Sequence, residues 1–430
     1  MPQQQVAIIS GSAKLGFFRS LLLLLGICYL LQVFSPLRLN TDAIAILSMG
    51  ESAAHGGGFL DSGQKTVFPP GYPALLAVLL TLGLAHPWVI VGLNVVFLTV
   101  GLYAVNSLLI REFFEDRAVV LIICSFFLLS YVVVKHFTIP LTDVPFFCLS
   151  MSCIADTSQT TNVHSNWRFA VLTGTAWLLA VASITVRSIG LALLPPLVFA
   201  LLSSPQFKLI LERLSLRTKM IIVVIAVFVG AGTAYVFENT SYWRIFISDA
   251  KIANIFILIF QIPSYRFREL GELFGNLPTT RMPPKLLAVV PWMGLLLFLL
   301  TFFGLATKRR MSPTEVFLVC YMGILFAWPY YDARFWLPVI PLLIAYSVLA
   351  VKSLRIPKAA ITIYCIIFAT LGFGAIAYST RITFAGGKFP DEYGTGSLRP
   401  TYCAAFQSCQ DGGDPDKVDA KTLRLLLEYK

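Results

Sequence analysis

Apolar runs of about 20 residues recur from Leu15 to Tyr378, and nothing else constrains the fold as tightly, because a bilayer core takes roughly one such run per spanning helix. With 57% hydrophobic and 13% charged residues among 430, the chain has too little polar surface to wrap a soluble core. Runs such as 21–25 and 295–300 are apolar on every side and lack the alternation of a barrel strand. The expected class is therefore all-α: a polytopic transmembrane helical bundle in which each segment closes its own backbone hydrogen bonds.

Eleven spans are expected, near residues 15–35, 88–110, 118–136, 145–160, 168–185, 188–203, 220–237, 286–306, 314–329, 336–351 and 359–379. The stretch from Tyr72 to Leu84 is apolar but short and flanked by prolines, so it is expected to lie in the interface or to re-enter. That choice puts Lys14 and Arg19, Arg111 and Arg117, Arg168, the 208–219 cluster, Lys308-Arg309-Arg310, and Lys352, Arg355 and Lys358 on one side. The positive-inside rule makes that side cytoplasmic. The net charge of +11 is then topogenic, and no nucleic-acid partner is implied.

The extracytoplasmic face receives Asp42, Asp143, Arg187, Asp332 and Arg334. It also carries a first outer loop over 36–87 bearing an interfacial helix, a long outer loop over 238–285, and a small tail over 380–430. Residues 1–379 form one multi-pass membrane domain, whose first run lacks a cleavage site and is expected to remain as an anchor. Six of the eight cysteines lie in apolar segments, whereas Cys403 and Cys409 share an aqueous stretch at loop-closing distance. They form either a disulfide, which requires an oxidising compartment, or two free thiols. The Asn239-Thr240-Ser241 sequon is too common to add weight.

Asn40-Thr41-Asp42 opens a segment whose Ile44, Leu47 and Ala54 fall at helical spacing, which predicts a short amphipathic surface helix capped by Asn40. An acid in a first helical turn steadies the dipole, so Asp42 has an ordinary structural role beside any catalytic one. The rest of the loop, Ser52 to Gly58, then Lys65, then Phe68-Pro69-Pro70-Gly71-Tyr72-Pro73, is of the flexible kind that grips and releases ligands. Leu141-Thr142-Asp143-Val144-Pro145 and Asp332-Ala333-Arg334-Phe335-Trp336-Leu337-Pro338 return further charge to the same face.

In the order, spacing and sidedness of these four places the chain resembles the GT-C superfamily of polytopic glycosyltransferases. The branch it is most similar to holds the protein O-mannosyltransferases and the lipid A aminoarabinose transferase. The likeness covers the layout from the first helix to about residue 350. It departs where Asp42 is followed by Ala43-Ile44-Ala45, since family members often carry a second acid or an aromatic there. The resemblance implies a polyprenyl-phosphate sugar donor, a lipid, glycan or protein acceptor, inversion at the anomeric carbon, and a bacterial-type inner (plasma) membrane.

Such a transfer needs a base for the acceptor proton and preorganised cations for the leaving phosphate. Asp42 is the candidate base, with Asp143 as a second catalytic acid; Lys65, Arg187 and Arg334 are the candidate phosphate contacts. His55, Tyr72, Tyr331 and Asp332 are candidate substrate contacts. Each has a plainer role. Thr142-Asp143 reads equally as a helix cap, Arg187 as a snorkelling side chain, Asp332 and Arg334 as a surface pair worth little, and Trp328 to Trp336 as an interfacial aromatic belt. In the long outer loop, Tyr242, Trp243, Arg244, Tyr265, Arg266 and Arg268 suit either acceptor contacts or a membrane-surface helix.

The four histidines show no metal-ligand spacing and no nucleotide-binding glycine pattern follows a strand, so no cofactor is implied. A divalent cation bridging Asp42, Asp143 and a donor phosphate is compatible with the residues, although nothing local demands it. The rival classes are a transporter or flippase for lipid-linked saccharides, which would spread charges through the midplane and break its helices in pairs, and a non-catalytic binding subunit.

Overall fold

The structure, a computed structural model, describes residues 2–161, 163–213, 261–308, 310–393, 398–406 and 419–429. Helix α1 (Pro2–Leu31) leads to the surface helix α2 (Thr41–Ala54), an antiparallel hairpin of β1 (Leu60–Asp61) and β2 (Gln64–Lys65), and the short α3 (Gly71–Thr81). Then come α4 (Pro87–Glu112), α5 (Arg117–Leu129), α6 (Tyr131–His136), α7 (Asp143–Thr160), α8 (Asn166–Val186), α9 (Leu194–Ser203) and α10 (Pro205–Arg213). From Gln261 the chain continues as α11 (Ile262–Gly275), α12 (Val290–Thr307), α13 (Pro313–Ala327), α14 (Ile340–Leu354) and α15 (Lys358–Thr383). The tail holds α16 (Phe389–Tyr393), α17 (Arg399–Phe406) and α18 (Ala420–Glu428).

Among the described residues six helices are long and apolar enough to cross a membrane: Lys14–Phe34, Pro87–Glu112, Asn166–Val186, Pro284–Thr307, Ala333–Leu354 and Lys358–Thr383. The chain is thus a helical membrane protein. The other expected spans take different forms. Residues 118–136 break at Ser130; 188–203 begin as a 3-10 turn, Ser188–Leu193; 314–329 shorten to the 15 residues of α13; and 220–237 lie outside the described residues.

The expected span at 145–160 is α7, and its side chains are almost all buried against α4, α8, α9, α13 and the turn Ala333–Val339. A helix enclosed on all sides meets no lipid, which accounts for its Ser, Thr and Cys content. Close approach also needs small residues: a Cβ on Gly101 of α4 would sit 2.5 Å from the Phe147 ring. Gly101 at Phe147 and Arg111 at the Ala155 carbonyl, 3.1 Å away, show that α4 and α7 run the same way. Asp143 therefore lies at one end of the bundle. The other end carries Arg111 and a cluster in which Lys308 pairs with Glu112 at 3.0 Å and with Glu315.

At Ser130 the backbone turns extended, leaving helix-end groups of α5 and α6 without helical partners. Asn276, the left-handed cap of α11, plugs this break. Its side chain accepts from Tyr131 N at 2.7 Å and donates to the Leu129 and Phe368 carbonyls at 3.0 Å. Without water to satisfy them, those groups require such an internal partner.

The tail packs back on the first loop. Tyr402 Oη accepts from Leu39 N at 2.7 Å, Leu37 N donates to the Tyr429 carbonyl at 3.2 Å, and Arg424 grips Glu51. Cys403 is disulfide-bonded, and the other six described cysteines are free. Its expected partner, Cys409, lies outside the described residues.

Candidate active site

The Asn40 side chain accepts from Ala43 N at 2.8 Å, so α2 starts as its sequence predicts and Asp42 occupies the first turn. The Asp42 carboxylate has more than the helix dipole for company: Arg334, 292 residues later in the chain, hydrogen-bonds to it. Arg334 also reaches Asp332 Oδ2 with Nε at 3.0 Å, while Asp332 Oδ1 accepts from Arg334 N at 3.0 Å. Burial works against the charged form of Asp332, but the Arg334 guanidinium and His136 hold its carboxyl below the ordinary carboxylate range.

A second pair stands beside the first. Arg187, at the turn out of α8, binds Asp143, whose side chain is only 1% exposed. Thr142 makes no capping bond, so the expected cap gives way to an ion pair. The Arg187 and Arg334 guanidiniums lie 5.2 and 5.5 Å from the centre of one ring, Phe335, and the Asp143 charge acts on Arg334 as well. Asp42, Asp143, Arg187, Asp332 and Arg334 therefore form one cluster. Asp143 Oδ2 is buried there without a hydrogen-bond donor, an arrangement native structures seldom leave unused.

The remaining candidates stand apart. Lys65 is exposed on β2, with no described contact to the cluster. His55 follows the far end of α2, roughly 20 Å along the helix from Asp42 at 1.5 Å per residue. It lines a polar cleft of about 310 Å³ with Glu51, Ser52 and Arg424. Tyr72 is buried in the core and not open to a ligand. Tyr331 is exposed and donates to Glu272 Oε1 at 2.7 Å. No three His, Cys, Asp or Glu side chains among the described residues gather as metal ligands. With a guanidinium already on each of Asp42 and Asp143, the donor set does not fit a resident divalent ion.

No protein-family model matches the chain, and neither a curated protein nor a solved structure matches it.

The described part of the expected outer loop over 238–285 contributes the most. Residues 262–275 form α11, packed on α12, and its Arg266 and Glu269 are fully buried partners at 3.0 Å. Glu269 accepts from Asp332 N at 2.6 Å and from Trp336 Nε1 at 2.7 Å, and Arg266 donates to the Tyr330 carbonyl. Glu272 receives both Tyr131 and Tyr331 hydroxyls. This buried polar layer fixes the 330–336 segment and with it the aim of Arg334. Its signal in the sequence is the three-residue spacing of 266, 269 and 272, one helical face, but charged residues at that spacing are more often a solvated surface.

Proposed function

We propose that the chain is a GT-C-type membrane glycosyltransferase that moves a sugar from a polyprenyl-phosphate donor to a hydroxyl or amine acceptor, working at the extracytoplasmic end of the bundle. The observation that carries this reading is the convergence of residues 42, 143, 187, 332 and 334 into one cluster of carboxylates and guanidiniums at a single end. Charges at one end suit chemistry at the membrane surface, whereas a transport path would place them along the midplane.

In the reaction the acceptor oxygen or nitrogen attacks the anomeric carbon and its proton passes to Asp42. The bond from that carbon to the phosphate oxygen breaks with its electron pair staying on the phosphate. Arg334, held by Asp42 and Asp332 before the donor arrives, offers its planar donor fork to the phosphate, and this exchange frees the Asp42 carboxylate to act as base. Arg187 adds positive charge where the leaving group develops its own. Asp143, buried against Arg187, holds that guanidinium in place.

The transporter reading is favoured by one observation, the broken helix at Ser130; there, however, the Asn276 side chain fills the gap that an ion or substrate would need. The test is mass spectrometry of purified protein with a panel of polyprenyl-phosphate sugars and cell-envelope extract as acceptor source. Wild type should consume one donor, and Asp42→Asn should lower turnover at least 100-fold while keeping donor binding. Near-normal turnover in the variant would remove Asp42 as the base; donor bound but never consumed by wild type would favour a flippase or binding subunit.

A further inference from the structure

The cluster's two guanidiniums are already spoken for, Arg187 by Asp143 and Arg334 by Asp42 and Asp332. An incoming phosphate must then either compete with a carboxylate or meet another cation. Lys65 lies elsewhere. Among the described residues the cation at hand is Lys135, in the last turn of α6, which packs against the turn Ala333–Val339 that carries Arg334. Its side chain is exposed, no hydrogen bond or ion pair from the described residues holds its ammonium, and its charge acts on both Asp332 and His136.

The backbone beneath it is rigid. Asn276 caps Tyr131 N, the Tyr131 hydroxyl binds Glu272, and Asn94 Nδ2 donates to the Phe137 carbonyl at 2.7 Å. His136 beside it is buried, with Nδ1 2.8 Å from the Val132 carbonyl. A mobile ammonium on a fixed platform is suited to receive a phosphate as a point charge, whereas the neighbouring arginines are geometrically committed.

We propose that Lys135 is the first contact of a lipid-linked phosphate monoanion or dianion entering beside Asp332, and that it holds this anion while Arg334 exchanges partners. The proposal rests on the transferase reading for its substrate class. The shared chemistry, a phosphate on a lipid, has two sources: a polyprenyl phosphate or a bulk phospholipid headgroup.

Binding of farnesyl phosphate, a short soluble probe, to the full chain in nanodiscs of neutral phosphatidylcholine tests it without any turnover. Lys135→Gln should weaken binding about tenfold or more, Lys135→Arg should restore most of it, and uncharged farnesol should bind wild type and Lys135→Gln alike. Because the side chain is exposed, the thermal midpoint of Lys135→Gln should match wild type. Equal affinity of wild type and Lys135→Gln for farnesyl phosphate overturns the role of Lys135 and leaves the transferase reading standing. Failure of wild type to bind farnesyl phosphate at all counts against both. Nanodiscs containing phosphatidylglycerol separate the sources: unchanged affinity supports a polyprenyl phosphate site, and full competition means that Lys135 serves ordinary headgroups, which refutes the proposal.

Discussion

Glu269→Ala isolates the device that aims Arg334. The substitution leaves Arg266, fully buried, without its carboxylate, and strips the acceptor from Asp332 N and from Trp336 Nε1. An uncompensated buried charge costs about 3–5 kcal/mol. Each orphaned donor adds about 1–3 kcal/mol. Water entering the vacated space recovers part of this, so the low ends of the ranges, about 5 kcal/mol together, are the expected loss. At roughly 2 °C per kcal/mol for a chain of this size, the unfolding midpoint should fall by about 10 °C. Cys124, Cys148 and Cys153 are free and buried, so a thiol-reactive fluorogenic dye reports unfolding in detergent directly. The double variant Arg266→Met with Glu269→Gln removes both charges and keeps an amide oxygen for Asp332 N. It should recover more than half of the loss. A Glu269→Ala midpoint within 2 °C of wild type, or a double variant no better than the single, would refute the ledger.

Two further outcomes follow from other parts of the fold. Asn276→Ala removes three buried hydrogen bonds and forces a Cβ residue into a left-handed backbone, φ +50°; it should cost about 3 kcal/mol in the same dye assay, and Asn276→Gly should cost less because only the strain is relieved. In the tail, burial and then the Glu51 charge raise the Glu428 carboxyl above its ordinary range. A raised folded value gives stabilisation that is complete below the unfolded value and is lost as pH rises through the folded one. Helix α18 should therefore hold the first loop more tightly at pH 4.5 than at pH 8, read as slower amide exchange over 420–428 after correction for intrinsic rates.

Local rules carried the sequence reading where the relevant forces are local. Asn40 capping α2 and the short apolar α3 depend on a few neighbouring residues, and both stand in the fold. Hydropathy found the six long apolar helices for the same reason. It did not foresee that α7 is enclosed by protein or that α5 and α6 part at Ser130, because a window average cannot tell a lipid-facing helix from an enclosed one, or see a side chain from residue 276 mending a break at 130. The cluster was legible as a set of charges on one face, but not its pairing: Asp143 read equally as part of a helix cap, and only tertiary packing brings Arg187 to it. Arg266 was legible only as an acceptor or membrane-surface contact and Glu269 not at all, since a single sequence does not distinguish a buried charge from a solvated one.

The pairing itself bears on why a membrane protein would keep five charged side chains in so small a space. Replacing such pairs with apolar residues is often neutral or stabilising, so stability alone gives little reason for them. The Arg266 and Glu269 layer passes each Glu269 oxygen a donor, although Arg266 Nε and Nη1 have no hydrogen-bond acceptor of their own. The Asp42 to Arg334 cluster does not: Asp143 Oδ2 is buried with no donor, and Arg334 divides itself between two acids. One guanidinium shared by two carboxylates is poised to change partners when a third anion arrives, since the acid it leaves keeps company with solvent through a side chain 29% exposed at Asp42. The rigid layer beneath and the exchangeable layer above thus divide the work, the first fixing where Arg334 sits and the second leaving open what it binds.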